Sequence, residues 1–488
     1  MQVSEQKIYA VLKSKFGFNE FKPGQLEIIH QLCRSQNVLA VLPTGTGKSL
    51  IYQLFSYLIE QPIIVISPLL SLIDDQIARL NRLGETAVIG LTSKLDYDQR
   101  QFALAHLKSY RFLYVSPEMA NQPDVLQALS HMQCGLFVID EAHCLSQWGP
   151  DFRPDYLKLK DIRKKLNYPT TLMLTATATK AVRLDILEKL AFRSDQVKQI
   201  IHSVDRSNIY LDVEHCRSAK QKDEKLLQLL QTLTGAGIIY FSSKKKASEI
   251  AALIGQKSER SVAVYHGDIT PQDRYKIQQQ FMQDKIDLIC ATSAFGMGID
   301  KNNVRFVIHY HMPGNLEDYL QEIGRAGRDQ KQSIAILLYA PGDEYIPSTL
   351  NLANIPSLAN IELFFKNPAS RPSFNTDERQ LLMFYYNQHL DVHQVNQVFT
   401  DRQLSKQKSL AAMSGFVNTT TCLRTYLLNH FDETGVRHTE KCCGIDQATA
   451  SITALKLDQS VVAKRSAKLT LRPWQEGLTQ LFHQKPNT

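Results

Sequence analysis

The stretch over residues 38–49 constrains the fold of this chain more than any other. It begins with an apolar run typical of a buried strand, and it ends in Gly47-Lys48-Ser49, where a helical pattern over residues 50–59 begins. A strand, a glycine-bearing turn and a helix in this order predict a phosphate-binding loop, because the loop amides and the helix N-terminus point at one anion. The alternative is a glycine-rich turn followed by a solvated lysine.

The side chains of this loop predict how a nucleoside triphosphate would bind. Lys48 would contact the β- and γ-phosphates of ATP, and the Ser49 hydroxyl would ligate Mg²⁺. Glycines let the backbone close around phosphate oxygens, although Leu42 stands where the strict motif has a further glycine. The residues that we expect to bind the nucleotide here are Thr44, Gly45, Thr46, Gly47, Lys48 and Ser49.

Apolar runs separated by helical patterns predict an α/β fold with parallel sheets that are covered on both faces. In the first part of the chain, the runs lie at residues 63–66, 112–115, 136–139 and 172–174. In the second part, which begins near Asp205, the runs lie at residues 238–241, 262–267, 288–292, 304–310 and 334–339. Ligands bind at the carboxyl ends of such strands, so polar clusters at these ends are candidate site residues.

The change of pattern along the chain predicts four segments. Residues 1–204 and 205–345 would form two tandem doubly wound parallel-sheet domains, and the phosphate-binding loop lies in the first of them. Residues 346–450 read as a mostly helical subdomain, and residues 451–488 form a short basic segment.

Asp140 and Glu141 follow directly after the apolar run at residues 136–139. Asp140 would hold Mg²⁺, and Glu141 would polarise the water that attacks the γ-phosphate. The alternative for both carboxylates is a solvated acidic end of a strand. His143 would relay the nucleotide state to the following loop, or it has a structural role.

The loop after His143 combines aromatic side chains with an arginine. Trp148, Phe152 and Arg153 suit stacking on unpaired bases and binding of phosphate. The alternative is a small satellite core under a long loop.

Arg325 and Arg328 could bring positive charge to the nucleotide from the second half of the chain. They are three residues apart on a predicted helix, so they would share one face. An arginine supplied across a cleft stabilises the charge of phosphoryl transfer. The alternative is a solvated basic face of a helix.

Cys422, Cys442 and Cys443 lie together in the C-terminal part of the chain. Clustered thiolates indicate Zn²⁺, for which Asp446 or His438 would have to supply the fourth ligand. Adjacent cysteines are not the usual spacing of a zinc site, so unligated thiols are the alternative.

The composition is that of a globular protein, since 43% of the 488 residues are hydrophobic. No apolar run is long enough to span a membrane, and the N-terminus lacks the apolar core of a signal peptide. We therefore expect a cytoplasmic protein without a membrane partner. The net charge of +8 is compatible with a polyanionic partner.

Together these motifs resemble superfamily 2 helicases, and specifically the RecQ family of DNA helicases. The resemblance runs to about residue 345 and is carried by residues 16–25, 42–49, 67–76, 140–143, 148–156, 174–179, 295–300 and 321–329. The cysteine-bearing segment resembles the zinc-binding subdomain of that family, with Asp446 where a last cysteine is expected. The short tail resembles the short bacterial type, which lacks the full winged-helix and C-terminal accessory domains.

The resemblance implies two RecA-like domains that hydrolyse ATP, translocate 3′ to 5′ on single-stranded DNA and unwind duplex DNA in recombination and repair. It implies that Lys22 and Gln25 contact adenine, that Asp300 contributes to the nucleotide site, and that Arg325 and Arg328 are the candidate γ-phosphate sensor and finger. The residues that it assigns to coupling with DNA are His143, Trp148, Phe152, Arg153, Thr175 and Thr177.

The resemblance also implies partners and a location. The partners are single-stranded, forked or partial-duplex DNA, together with single-stranded-DNA-binding or repair proteins, and the protein would be a nucleoid-associated monomer. Two other functions stay open at this point. One is an RNA helicase of the same superfamily, and the other is a nucleotide-gated DNA-binding remodeller that does not unwind.

Overall fold

The computed structural model describes residues 3–147, 154–296, 301–352, 355–368, 376–434, 442–445 and 455–457. Within these residues the chain forms two parallel β-sheets in tandem, each covered by helices, followed by a helical region. We call the two α/β units lobe 1 and lobe 2. The predicted fold class, two doubly wound α/β domains followed by helices, is confirmed.

Lobe 1 contains a parallel sheet of seven strands within the described residues, in the order β3-β4-β2-β5-β6-β1-β7. The strands are β1 (Asn37–Val41), β2 (Ile63–Ile66), β3 (Val88–Leu91), β4 (Phe112–Val115), β5 (Leu136–Ile139), β6 (Thr171–Thr175) and β7 (Val197–Ile201). Strands β2, β4 and β5 are buried along their whole length, because helices cover both faces of the sheet.

The helices of lobe 1 connect these strands and place their carboxyl ends at one edge. They are α1 (Glu5–Phe16), α2 (Gln25–Cys33), α3 (Lys48–Ser56), α4 (Leu70–Arg82), α5 (Tyr97–Ala105), α6 (Pro117–Ala120), α7 (Pro123–Ser130), α8 (Cys144–Gln147), α9 (Leu159–Lys165) and α10 (Lys180–Lys189). Short 3₁₀ helices lie at Leu107–Ser109, Pro154–Lys158 and Ser194–Gln196.

Lobe 2 contains a six-stranded parallel sheet within the described residues, in the order β10-β11-β9-β12-β13-β8. The strands are β8 (Ile209–His215), β9 (Ala236–Tyr240), β10 (Val262–Tyr265), β11 (Leu288–Ala291), β12 (Val304–His309) and β13 (Ser333–Tyr339). The helices are α11 (Ala219–Thr232), α12 (Lys244–Lys257), α13 (Pro271–Met282) and α14 (Leu316–Ile323).

The helical region after lobe 2 divides between two hydrophobic cores. Its helices are α15 (Tyr345–Leu352), α16 (Leu358–Lys366), α17 (Thr376–Asn387), α18 (Val392–Val417) and α19 (Leu423–His430). Side chains of α16, α17 and the first half of α18 form a core of their own. The end of α18, helix α19 and Cys442 and Cys443 instead join the core of lobe 2. Leu455 and Leu457 pack on the other face of lobe 2.

Three strands were not predicted from the sequence, and all three lie at the edges of the sheets. They are β3, β7 and β8. Edge strands are partly exposed, as in β7, where Lys198 and Ile201 are exposed and Gln199 is half-buried. The sequences of β7 and β8 therefore lack the continuous apolar run that identifies a buried parallel strand, whereas β3 is a short apolar run that contains Gly90.

Candidate active site

The phosphate-binding loop connects the carboxyl end of β1 to helix α3, which begins at Lys48, two residues before the predicted start. Gly45 and Gly47 have φ angles of 83° and 72°, a left-handed conformation that favours glycine. Leu42, the departure from the strict motif, is fully buried in the core of lobe 1. Its position therefore belongs to the strand side of the loop and not to the part that would face a phosphate.

Lys48 lies among charged groups from both lobes. Its Nζ is 3.4 Å from the carbonyl oxygen of Leu42. Burial lowers the pKa of Lys48, the nearby carboxylates of Glu141 and Asp140 act in the opposite direction, and Arg328 lowers the pKa further. A desolvated ammonium between two carboxylates and a guanidinium is the arrangement expected where a phosphate group is to be bound.

Lys22 and Gln25 contact the backbone of the phosphate-binding loop. Lys22 Nζ donates to the carbonyl oxygen of Gly45 at 2.7 Å, and Gln25 Nε2 donates to those of Thr46 and Gly47 at 2.7 and 3.1 Å. Gln25 Oε1 accepts from the backbone amide of Lys22 at 2.9 Å. The two residues therefore hold the loop in shape, and their predicted contact with adenine stays a prediction.

Asp140 and Glu141 lie at the carboxyl end of β5, on the same edge of the sheet as Lys48. Burial and the charge of Glu141 raise the pKa of Asp140, whereas Lys48 opposes this rise. Glu141 has a φ angle of 49°, and its backbone amide donates to Asp140 Oδ1 at 3.0 Å. A non-glycine residue in this conformation stores strain of the kind found at functional sites.

His143 links the end of β5 to the end of β6. Its Nδ1 lies 2.9 Å from Thr175 Oγ1 and 3.4 Å from Glu141 Oε2. The Thr175 hydroxyl in turn donates to the carbonyl oxygen of Thr177 at 3.0 Å. Burial lowers the pKa of His143. A neutral imidazole donates its Nδ1 proton to Thr175 Oγ1, which connects His143 by hydrogen bonds to the loop after β6, and the Glu141 carboxylate lies beside the imidazole.

Arg325 and Arg328 do not lie on a helix, so that prediction is wrong. Helix α14 ends at Ile323, and both arginines lie in the turns that follow it. Gly324 and Gly327 interrupt the helical pattern, and Gly327 has a φ angle of 56°. The spacing of three residues therefore does not place the two side chains on one face.

The two arginines have different surroundings. A Cβ atom on Gly45 would lie 3.5 Å from Cγ of Arg328, so Arg328 packs beside the phosphate-binding loop. Arg325 donates to the carbonyl oxygen of Gly296, and its guanidinium lies next to the Tyr240 hydroxyl inside lobe 2. Arg328 therefore lies beside the phosphate-binding loop of lobe 1, while Arg325 bonds within lobe 2.

Arg206 joins the two lobes at this site, and sequence reasoning did not identify it. It is buried, and its guanidinium donates to the carbonyl oxygens of Thr44 at 3.2 Å and Gly327 at 2.6 Å. Thr44 Oγ1 also donates to the carbonyl oxygen of Gly324 at 3.0 Å. Burial and the neighbouring Arg328 lower the pKa of Arg206 to about 10. A single basic residue in a linker carries no sequence signal that distinguishes it from a solvated one.

The sulfur atoms of Cys422, Cys442 and Cys443 lie within 4.8 Å of one another and are buried. Cys422 Sγ is 3.5 Å from Cys442 Sγ and 3.7 Å from Cys443 Sγ. These distances fit the edge of a zinc–thiolate tetrahedron, about 3.8 Å for a Zn–S bond of about 2.3 Å. The predicted fourth ligand, Asp446, lies outside the described residues.

Other predicted site residues also lie outside the described residues: Trp148, Phe152, Arg153 and Asp300. Tyr156, at the end of the same aromatic loop, is fully buried in the core of lobe 1. This end of the loop therefore anchors it to the protein.

Three families match consecutive parts of the chain. The DEAD/DEAH box helicase family matches residues 22–184, the helicase conserved C-terminal domain matches residues 221–330, and the RecQ zinc-binding family matches residues 385–446. The probable ATP-dependent DNA helicase RecS of Bacillus subtilis (strain 168) is 39% identical over 442 residues, which are 88% of this chain and 89% of that protein.

The chain belongs to the RecQ family of ATP-dependent DNA helicases. The predicted family is confirmed. The ATP-dependent DNA helicase RecQ of Haemophilus influenzae is 40% identical over 338 residues, 68% of this RecQ-family chain and 53% of the relative. The chain thus spans about half the length of that RecQ protein, in contrast to its near-complete coverage of RecS.

Solved structures with the same fold bind either type of nucleic acid. They include S. cerevisiae Dbp5 bound to RNA and ADP BeF3 (TM-score 0.56, 19% identity, 71% of this chain and 90% of that one). They also include Mycobacterium smegmatis helicase Lhr bound to ssDNA and AMP-PNP (TM-score 0.57, 17% identity, 83% and 57%). At these identities the likeness shows the fold alone. None of the helices in the described part of this RecQ-family chain is long and apolar enough to cross a membrane.

Proposed function

We propose that this chain uses ATP hydrolysis to translocate 3′ to 5′ on single-stranded DNA and to unwind forked or partial-duplex DNA in recombination and repair. The observation that carries the proposal is the contact between the lobes at the phosphate-binding loop. Thr44 and Gly45 of lobe 1 meet Arg206 of the linker and Gly324 and Arg328 of lobe 2. An ATP molecule on the loop would therefore lie between the two lobes.

The roles of the residues follow from their places in this site. Lys48 would bind the β- and γ-phosphates, and Arg328 would stabilise the charge that develops on the γ-phosphate. Glu141 would orient and polarise the attacking water. Ser49 and Asp140 would hold Mg²⁺, which offsets phosphate charge when bound. Lys22 and Gln25, which hold the loop, would contact the adenine base.

Charge explains how ATP would control closure of the lobes. Lys48 and Arg328 are like charges from opposite lobes, and Arg328 lowers the pKa of Lys48. A triphosphate between them replaces repulsion by two attractions, so it favours the closed form. Loss of the γ-phosphate after hydrolysis removes this advantage and lets the lobes separate. Each cycle has to offset about 1.4 kcal/mol per base-pair step that is opened.

The contacts of His143 would link ATP hydrolysis to DNA. His143 lies between Glu141, which would contact the attacking water, and Thr175, which bonds to Thr177. We propose that Thr175 and Thr177 pass the state of the nucleotide to the strand of DNA that lies across the lobes. Trp148, Phe152 and Arg153 would grip the same strand by stacking and by phosphate contact.

Partners and cofactors follow from the same mechanism. DNA contacts would go mainly to phosphates, so binding would weaken with salt and discriminate little between sequences. Both halves of the ATP site come from one chain, so a monomer suffices.

We further propose that Cys422, Cys442, Cys443 and Asp446 hold Zn²⁺. The protein would act on nucleoid DNA in the bacterial cytoplasm, beside single-stranded-DNA-binding or repair proteins.

Strand displacement tests the proposed function. Duplexes with a 3′ tail, with a 5′ tail and with an RNA tail are incubated with the protein, ATP and Mg²⁺, and the released strand is measured. We expect release from the 3′-tailed DNA duplex alone. Release from the RNA-tailed duplex alone would support an RNA helicase, and ATP hydrolysis without any release would support a remodeller. Either result would overturn the proposal.

A further inference from the structure

The segment from Leu423 to Glu433, which comprises helix α19 and the turn after it, contacts both lobes and the linker between them. We call this segment the hinge bracket. The linker itself, residues 202–208, connects β7 of lobe 1 to β8 of lobe 2. The linker also carries Arg206, which reaches the phosphate-binding loop and the Gly327 turn.

The hinge bracket binds four consecutive residues of the linker. Glu433 Oε2 accepts from the Ser203 hydroxyl at 2.6 Å, and Glu433 Oε1 accepts from the Val204 amide at 2.7 Å. Buried Arg424 pairs with Asp205 and donates to the carbonyl oxygen of Arg206 at 3.2 Å. The backbone immediately before the Arg206 side chain is therefore held by a segment of the C-terminal helical region.

The same segment reaches each lobe directly. Asp432 Oδ2 accepts from the backbone amide of Lys180 at 2.6 Å, at the start of α10 in lobe 1. His430 Nε2 lies 3.0 Å from Glu317 Oε1 on α14, the helix that leads to Arg325 in lobe 2. Arg424 also donates to the carbonyl oxygen of Cys442, so the bracket is tied to the cysteine cluster.

We propose that Glu433 is a positioning residue for ATP hydrolysis, acting through the linker on Arg206 and on the approach of lobe 2 to the phosphate-binding loop. The inference rests on the proposed interlobe ATP site. Glu433 is half-buried and touches neither the loop nor the predicted catalytic residues in the described contacts. Its two carboxylate oxygens satisfy two successive donors of the linker, which restricts the paths that the linker backbone can take when the lobes close.

The test compares Glu433→Ala, Glu433→Gln and the control Glu362→Ala, an exposed glutamate on α16. The kcat and the KM for ATP are measured with and without single-stranded DNA, together with DNA affinity and the thermal unfolding midpoint. For Glu433→Ala we expect kcat to fall about three- to tenfold, while KM and DNA affinity stay near the wild-type values. Gln keeps an acceptor for the Val204 amide, so Glu433→Gln should recover much of the loss. Glu362→Ala should leave kcat unchanged.

A double variant distinguishes an effect of Glu433 through Arg206 from a general loss of protein stability. If Glu433 acts through Arg206, adding Glu433→Ala to Arg206→Lys should cost less than it does in the wild type. The proposal is overturned if folded Glu433→Ala keeps the wild-type kcat, or if the two effects are additive. The ratio of Glu433→Ala to wild-type kcat without DNA tests the role of Glu433. The change in wild-type kcat when single-stranded DNA is added tests the proposed function separately.

Discussion

Lys48 is the residue on which the proposed chemistry depends most. Replacing it with alanine removes the ammonium from between Asp140, Glu141 and Arg328, so the β- and γ-phosphates lose their main contact on lobe 1. We expect Lys48→Ala to lower kcat for ATP hydrolysis by about a hundredfold or more. Steady-state ATPase assays measure this, with Lys257→Ala, an exposed lysine at the end of α12, as the control. Retained DNA-stimulated hydrolysis in Lys48→Ala would refute the assignment of the site.

Arg325 and Arg328 should differ when each is replaced by alanine. Arg328 packs beside Gly45, so its loss should lower kcat about a hundredfold or more with little change in thermal stability. Arg325 bonds within lobe 2 to Gly296, so its loss should also lower the unfolding midpoint by several degrees. Parallel ATPase and thermal-unfolding measurements on both variants check this. Equal unfolding midpoints for the two variants would contradict the division of roles.

At the scale of single residues, local motifs were predictable and long-range partners were not. Lys48 and the Asp140–Glu141 pair follow from strand ends and loop chemistry, because both features are local in sequence. The contact of Arg206 with Thr44 and Gly327 joins parts of the chain far apart in sequence. Only the packing of the lobes brings these residues together, so no spacing pattern in the sequence predicts the contact.

Among the elements, the sequence predicted interior strands better than edge strands. The runs at residues 63–66, 112–115 and 136–139 match β2, β4 and β5, whose side chains are buried on both faces. Strand β8 lies at an edge of its sheet as described, and it mixes polar and apolar side chains in its second half, where it is only partly buried. The helical pattern extended over Arg325 failed for a different reason, since helix α14 ends at Ile323 and Gly327, with a φ angle of 56°, turns the backbone out of the helical conformation.

The end of helix α14 should tolerate no side chain at Gly324. A Cβ atom there would lie 2.3 Å from Thr44 Oγ1, so the two lobes could not approach as they do. We expect Gly324→Ala to reduce kcat for ATP about tenfold or more while each lobe stays folded. The matched control is Gly255→Ala on α12, where the new methyl would meet only Val262 Cγ1 at 3.9 Å. That change should leave kcat unchanged, and equal kcat values in the two variants would contradict the proposed contact.

For the molecule as a whole, the cysteine cluster connects the C-terminal helices to lobe 2. Leu211 of β8 forms an isolated parallel bridge with Cys443, and the Gly444 amide donates to the carbonyl oxygen of Leu211 at 2.9 Å. Cys422 lies directly before α19, the helix of the hinge bracket. The sequence predicted the cluster but not its place, because its partners on β8 are far from it along the chain.

Because the cluster connects α19 to lobe 2, metal binding by these cysteines should affect the thermal stability of the protein. If Zn²⁺ is bound, the purified protein should contain about one equivalent, and a chelator should lower the unfolding midpoint. Cys442→Ser should lose the metal and loosen α19 from lobe 2, whereas Cys134→Ser in lobe 1 should keep both metal and stability. Metal analysis and thermal unfolding of the three proteins check this. Less than about half an equivalent in the wild type would count against a structural zinc site and leave three thiols packed in the core.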